Sequence, residues 1–169
     1  MTVAPGASLC SGCGLCCHGW VFFQTLLSPA EAELLGTLTP VVTTVLGPVI
    51  CQPCALNTGT LCGVYESRPV VCRTYSCASL TAVERGDLHI DEARERLERA
   101  RTAMNELGDA LRAAGWMAPG DAGVAAWRKF TAAARASTNP EAFRRTNAQV
   151  LLAGAKAADL GGLALGDCL

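Results

Sequence analysis

Apolar residues follow two different rhythms along this chain, and the change comes near residue 80. In the second half, Ala93, Leu97, Ala100, Met104, Leu107, Leu111 and Ala114 recur at spacings of four and three. That spacing predicts a helix from about residue 91 to 114 with one apolar face, the rest filled by Arg and Glu. Glu92 with Arg96 and Glu95 with Arg99 stand acid-first and four apart, an order worth about 0.2–0.5 kcal/mol per pair. A second helix is predicted from about Ala122 to Ala136, with Val124, Trp127 and Phe130 inward. Asn139 and Pro140 form a cap and first-turn pair that opens a third, running through Phe143, Val150, Leu151 and Leu152. The closing "LGGLALGDCL" reads as a loose tail, and no internal repeat of helical-hairpin length is visible.

The first half lacks this periodicity. "SPAEAELLG" predicts one short helix: Ser28 caps it, Pro29 suits its first position, Glu31 completes a capping box and Gly36 ends it. "PVVTTVLGPVI" is a β-branched run that reads as one extended strand interrupted by Gly47 and Pro48. From Cys51 to Cys77 the chain is loop-like, punctuated by Pro53, "NTG" at 57–59, Gly63 and Pro69. Such a segment buries its own backbone poorly without a cross-link, which a metal would supply. The fold class predicted is mainly α: a loop-rich module over residues 1–80 with one short helix, and a three-helix region over residues 81–169 packed on it.

Charge sharpens the division. Residues 1–80 carry only Glu31, Glu33, Glu66, Arg68 and Arg73, while the other 24 charges, twelve of each sign, lie in residues 81–169. The second half is thus a solvated, salt-bridge-laced surface, and the first is apolar and rich in thiols. Neither half has the single-sign basic patch that draws nucleic acid, so no nucleic-acid partner is expected. No run of roughly eighteen apolar residues suggests a membrane span.

Nine of the ten cysteines fall between Cys10 and Cys77, and Cys168 is next to the end. "TVAPGASL" at residues 2–9 lacks the charged start and long apolar run of a secretory signal, and bulky Leu9 argues against a lipoprotein cleavage site before Cys10. A cytoplasmic location is therefore expected. Thiols stay reduced there, and clustered thiols are metal ligands sooner than disulfides.

The spacing within "CSGCGLCC" narrows the choice of metal. A lone C-x2-C suits a zinc knuckle, whose sulfurs sit about 2.3 Å from the ion. Cys10, Cys13 and Cys16 form C-x2-C-x2-C, a repeat that wraps a larger object and is used by bacterial ferredoxins. Iron in a sulfide cluster is favoured over zinc on that ground. Cys17 follows Cys16 directly, and adjacent side chains diverge, so the two are poorly placed to share one small ion. Cys17 either serves a second centre, the favoured reading, or is a packed or reactive neighbour.

"CSGCGLCC", followed by "CAL", "LCGVYESRPVVCR" and "YSC", resembles the bacterial CxxCxxCC cysteine-cluster family, described as zinc- or iron-chelating. The match runs over roughly residues 10–77 and includes Gly14, Tyr65, Glu66, Arg68, Pro69 and Arg73. The resemblance implies as ligands Cys10, Cys13, Cys16, Cys17, Cys54, Cys62, Cys72 and Cys77, and leaves Cys51 and Cys168 as free thiols. Flagellin lysine methylases carry a similar signature on much longer chains, but no methyl-donor glycine loop is visible here.

Other residues gain roles from this context. Arg68 and Arg73, the only cations of the first half, are candidates to offset the negative charge of a thiolate-bound centre or to pair with Glu66. Pro69 would hold the loop between Cys62 and Cys72, and Tyr65 reads as a packing residue with a hydrogen-bonded hydroxyl. His18 has no second histidine nearby and is not favoured as a ligand. Trp20, Phe22 and Phe23 either shield the site or form a core strand. His89 reads as a surface residue, and Asp87 and Asp91 as helix-start acids.

The function expected is an iron-sulfur protein, most simply 4Fe-4S, engaged in electron transfer or cluster-dependent chemistry with an unidentified redox or protein partner. The alternative is a zinc-stapled interaction module with four-thiolate sites and no turnover. A copper store suits the pattern less well, because it would want more equivalent thiols. No phosphate-cradling glycine loop, G-x-S-x-G or H-E-x-x-H motif points to a conventional enzyme.

Overall fold

The computed structural model describes residues 5–165, with side chains from 9 to 160; Cys168 lies outside the described residues. The fold is mainly α. Among the described residues there are eight helices: α1 Pro5–Cys13, α2 Pro29–Gly36, α3 Val70–Thr74, α4 Ala78–Arg85, α5 Ile90–Ala113, α6 Gly123–Ala136, α7 Pro140–Thr146 and α8 Ala148–Leu165. Strands β1 Gln24–Leu26, β2 Val42–Thr44 and β3 Gly47–Cys51 form an antiparallel sheet in the order β1-β3-β2, and β4 Asn57–Thr58 pairs with β5 Leu61–Cys62. No described helix is long and apolar enough to cross a membrane.

The periodic helices form where their patterns place them. In α5 the buried side includes Ala93, Leu97, Ala100, Met104, Leu107 and Leu111, while Ala114, just past the last turn, is exposed. Glu92 pairs with Arg96 at 2.7 Å on its wet face. Helix α2 carries the expected capping box: Glu31 N–H donates to Ser28 Oγ at 3.3 Å, and Ser28 N–H donates to Glu31 Oε2 at 2.8 Å.

Three expectations need correction. The run "VVTTVLGPVI" is a hairpin and not one strand: β2 and β3 pair in the register Val42↔Val49, Thr43↔Pro48, Thr44↔Gly47. Thr44 closes it, its hydroxyl donating to Gly47 O at 2.8 Å and accepting from Leu46 N–H at 3.2 Å. The C-terminal region is not three helices. The third is broken at buried Asn147, whose Nδ2 donates to Phe143 O at 2.9 Å while its Oδ1 accepts from Trp116 Nε1 at 2.9 Å. An asparagine that bonds its own backbone and a distant indole ends one helix and starts another. The expected loose tail is helical as far as Leu165, because Val150 and Ala157 bury one side of α8 against the core that α5 dominates. Helix α4 fills a stretch for which no element was predicted. The loop-like segment from Cys51 to Cys77 also contains β4, β5, a 3-10 turn at Tyr65–Ser67 and α3.

One large core joins both halves of the chain. Leu9, Leu15, Trp20 and Val21 pack with Leu80 of α4, the apolar face of α5, Ala126 and Phe130 of α6, and Val150 and Ala157 of α8. A smaller core of Leu27, Leu35 and Ile50 lies between α2 and the sheet, with Leu56 and Val64 against it. The thiols sit between these two cores.

Candidate metal centre

Helix α1 ends by placing Cys10 and Cys13 three positions apart, on one face of its last turns. Gly14 stops it with φ 70, a left-handed conformation, and a Cβ there would lie 3.1 Å from the His18 ring and 3.3 Å from Thr60 Cα. The chain then coils tightly, with His18 N–H donating to Gly14 O at 2.8 Å and Trp20 N–H to Leu15 O at 3.1 Å. Cys16 and Cys17 lie in this coil and face different neighbours.

All eight cysteines of the motif line one cavity of about 100 Å³, together with Thr25, Gln52, Tyr65, Arg68 and several apolar side chains. They fall into two sets. Cys10 and Cys13 of α1, Cys16 of the coil and Cys77, which precedes α4, all pack against the larger core. Cys54 packs against the smaller core, and its N–H donates to Cys17 O at 2.8 Å. Cys62 follows across the β4–β5 hairpin, opposite Asn57, whose N–H donates to Cys54 O at 3.0 Å. Cys72 lies on α3, which packs on β1, and Thr25 of β1 works against the rise that burial imposes on its thiol.

The electrostatics divide along the same line. Burial pushes the Cys10 thiol up, and the next contribution is Cys77. Burial pushes Cys13 up to about 11, with Cys77 and Cys10 adding repulsion. Cys16 is raised further still, by burial and then by Cys13, Cys17, Cys77 and Cys10. Cys17 is pushed up to about 12 by burial and then by Cys54, Cys62 and Cys72. Cys54 and Cys72 are raised by burial, with added repulsion from Cys62 on Cys54 and from Cys54 and Cys62 on Cys72. Cys10, Cys13, Cys16, Cys17, Cys54 and Cys72 are thus held as thiols by burial, and a bound cation reverses that preference by stabilising the thiolates.

The chain also supplies hydrogen bonds and positive charge. Backbone N–H groups of Leu15 and of Leu56 and Asn57 favour the thiolates of Cys13 and Cys54. The charge of Arg68 acts on Cys10 and on Cys72 and favours the thiolate at both, so one guanidinium serves both sets. It lies 3.9 Å over the Tyr65 ring, and Arg68 Nε and Tyr65 Oη are buried without a protein partner. Two unpartnered donors beside a ring of thiols fit an anionic, sulfur-rich group in the cavity. Among the described residues, no three Cys, His, Asp or Glu side chains gather closely enough to close on a single ion.

The remaining candidates lie elsewhere. Arg73 is exposed and does not line the cavity; its charge acts on Glu31. Glu31 accepts from Ser28 N–H and, at 2.7 Å, from Val70 N–H, which clasps α2 to the start of α3 just before Cys72. His18 does not line the cavity either: its Nε2 lies 2.8 Å from Gly59 O and steadies the β4–β5 turn. Phe22 is on the cavity wall, edge-on to Tyr75 at 4.8 Å, whereas Trp20 belongs to the large core and Phe23 is exposed. Cys51 is exposed and off the cavity. Thr25, Gln52 and Arg101, whose charge acts on Cys13, are site neighbours that no motif marked.

A family model described as "Putative zinc- or iron-chelating domain", CxxCxxCC, matches residues 9–97. The chain belongs to the CxxCxxCC family. The matched span begins within α1, takes in every cavity cysteine and ends within α5, so it includes part of the helical half. No curated protein and no solved structure matches the chain. Membership supports metal binding by this cysteine cluster, with zinc and iron both compatible.

Proposed function

We propose that the cavity holds two iron-sulfur centres of the 4Fe-4S type, one on Cys10, Cys13, Cys16 and Cys77, the other on Cys17, Cys54, Cys62 and Cys72, and that the protein passes electrons through them. The observation that carries this reading is the division of eight cavity-lining thiols into two sets of four, meeting at the Cys16–Cys17 peptide. The C-x2-C-x2-C repeat supports iron, as does the absence, among the described residues, of three donors closed on one ion. Such centres, when bound, supply one-electron chemistry. With four thiolates on each, no iron is left open to substrate, which favours electron transfer over Lewis-acid catalysis. Around them, Arg68 offsets thiolate charge at both sets, and the Glu31 clasp, with Arg73 beside it, fixes the segment that bears Cys72.

A second reading has its own support. The Cys54 thiolate accepts from N–H groups two and three residues ahead, an arrangement that suits a zinc-bound sulfur, so two zinc ions could staple the same thiols into an interaction module. Anaerobic purification with iron, sulfide and zinc analysis separates the two. The first reading requires a coloured protein with matching iron and sulfide; a colourless protein with stoichiometric zinc contradicts it.

A further inference from the structure

This inference rests on the iron-sulfur reading and concerns a hydroxyl that the chain leaves without a partner. Tyr65 opens the 3-10 turn Tyr65–Ser67, which lies between Cys62 of β5 and Cys72 of α3. The turn is held on both sides. Before it, Val64 packs against the smaller core, as Cys54 does, and its carbonyl accepts from Ser67 N–H at 3.0 Å. After it, Val70 N–H donates to Glu31 Oε1 at 2.7 Å. Between these anchors the Arg68 guanidinium lies 3.9 Å over the Tyr65 ring, so the ring is held as well as the backbone.

Tyr65 and Arg68 both line the thiol cavity, and Tyr65 Oη and Arg68 Nε are buried with no hydrogen-bond partner in the chain. Native proteins rarely leave such donors unsatisfied, because their lost hydration is not replaced. Their partner is then whatever fills the cavity, and the thiolate and sulfide sulfurs of a cluster are acceptors. Gln52 Oε1, the other unpartnered atom on the cavity wall among the described residues, is itself an acceptor and has no proton to offer a sulfur. The turn joins two ligands of one set and shares the smaller core with a third. We infer that Tyr65 Oη, with Arg68 Nε beside it, donates to a sulfur of the centre held by Cys17, Cys54, Cys62 and Cys72 and raises the reduction potential of that centre. A donor on sulfur stabilises the more negative, reduced state more than the oxidised one.

The test uses the full chain, purified anaerobically as wild type and as Tyr65→Phe, with iron and sulfide measured on each sample before a redox titration followed by electron paramagnetic resonance. Tyr65→Phe removes one oxygen and keeps the ring under Arg68. It should retain its iron and lower one of two potentials by roughly tenfold in the reduction equilibrium, about 59 mV for one electron. The centre that moves should be the one whose signal is missing from Cys17→Ser. A second measurement leaves the hydroxyl in place. The chain has two tyrosines, so Tyr75→Phe grown on a ring-fluorinated tyrosine carries the label at Tyr65 alone. Fluorination makes the O–H a stronger donor, and the same potential should rise above that of unlabelled Tyr75→Phe. Iron-loaded Tyr65→Phe with both potentials unmoved, with both moved equally, or with the shift on the centre missing from Cys16→Ser overturns the inference. If Tyr65→Phe loses its iron, an unmoved potential in the labelled protein overturns it. A wild-type protein with zinc and no iron overturns instead the reading on which the inference stands.

Discussion

Cys54 donates its backbone N–H to the carbonyl of Cys17 at 2.8 Å, which ties the second cysteine cluster to the last thiol of the first. Cys16, one residue earlier, packs with Cys10, Cys13 and Cys77 against the large core. A single peptide thus divides the site, and neighbouring cysteines should fail separately. Cys16→Ser and Cys17→Ser should each lose about half of the bound metal, Cys51→Ser should lose none, and the double variant should lose nearly all. Metal analysis of the purified variants checks this; equal and complete loss from either single variant would show one shared centre.

Arg68 is a cation whose charge acts on a thiol of both sets, Cys10 and Cys72. Arg68→Leu should therefore weaken retention at both, with faster metal loss to a chelator, while Arg68→Lys should retain part of the effect because it keeps the charge and loses the planar fork. Arg73→Leu, on the exposed side, should lose metal more slowly than Arg68→Leu. The reverse order of chelator rates would misplace the charge compensation.

Trp20 connects this site to the helical half. A Cβ on Gly123 would fall 2.6 Å from the indole of Trp20, and Gly19 O accepts from Val124 N–H at 2.9 Å beside it. Gly123→Ala should destabilise the fold by about 1–3 kcal/mol, the usual cost of overpacking a filled core. Denaturant unfolding of the metal-loaded protein reads this directly, and an unchanged midpoint would contradict so close a contact.

Two pH responses follow, of opposite sign. Unfolded thiols ionise near their ordinary value of about 8.5, whereas burial holds Cys13 near about 11 and Cys17 near about 12 in the metal-free fold. Between those values the unfolded state binds fewer protons, so the stability of the metal-free protein should be intact below about 8.5 and fall as pH rises toward 12. Glu31 behaves oppositely. Hydrogen bonds from Ser28, and then from Val70, hold its carboxyl below the ordinary carboxylate range, so its contribution is present at neutral pH and is lost as acid protonates it. Glu31→Gln should cost about 1 kcal/mol, a typical capping loss, and remove that acid-side dependence. Denaturant midpoints across the pH range would test both.

Much of this architecture is legible in the chain. The α5 face and the Ser28–Glu31 capping box follow from local rules, and the eight cavity cysteines stand in the motif itself. What local rules miss is decided at a distance. Asn147 breaks the last helix because Trp116 reaches it from 31 residues away, and Arg73 lies exposed and off the cavity, where its charge acts on Glu31. Thr25 gives no signal in "FQTLL", since strand pairing opposite Ile50 is what sets it on the cavity, where it accepts from Gln52. The run from Val41 to Ile50 is equally apolar as strand or hairpin, and only the Thr44 closure distinguishes them.

The central claim is that inorganic clusters occupy the thiol cavity, and native mass spectrometry of the intact chain purified without oxygen tests it most directly. The account predicts a mass increase equal to two four-iron, four-sulfide units, with the cavity thiols deprotonated and none paired in disulfides. An increase equal to two zinc ions, or no increase with the loss of hydrogen that marks oxidised cysteine pairs, would contradict it.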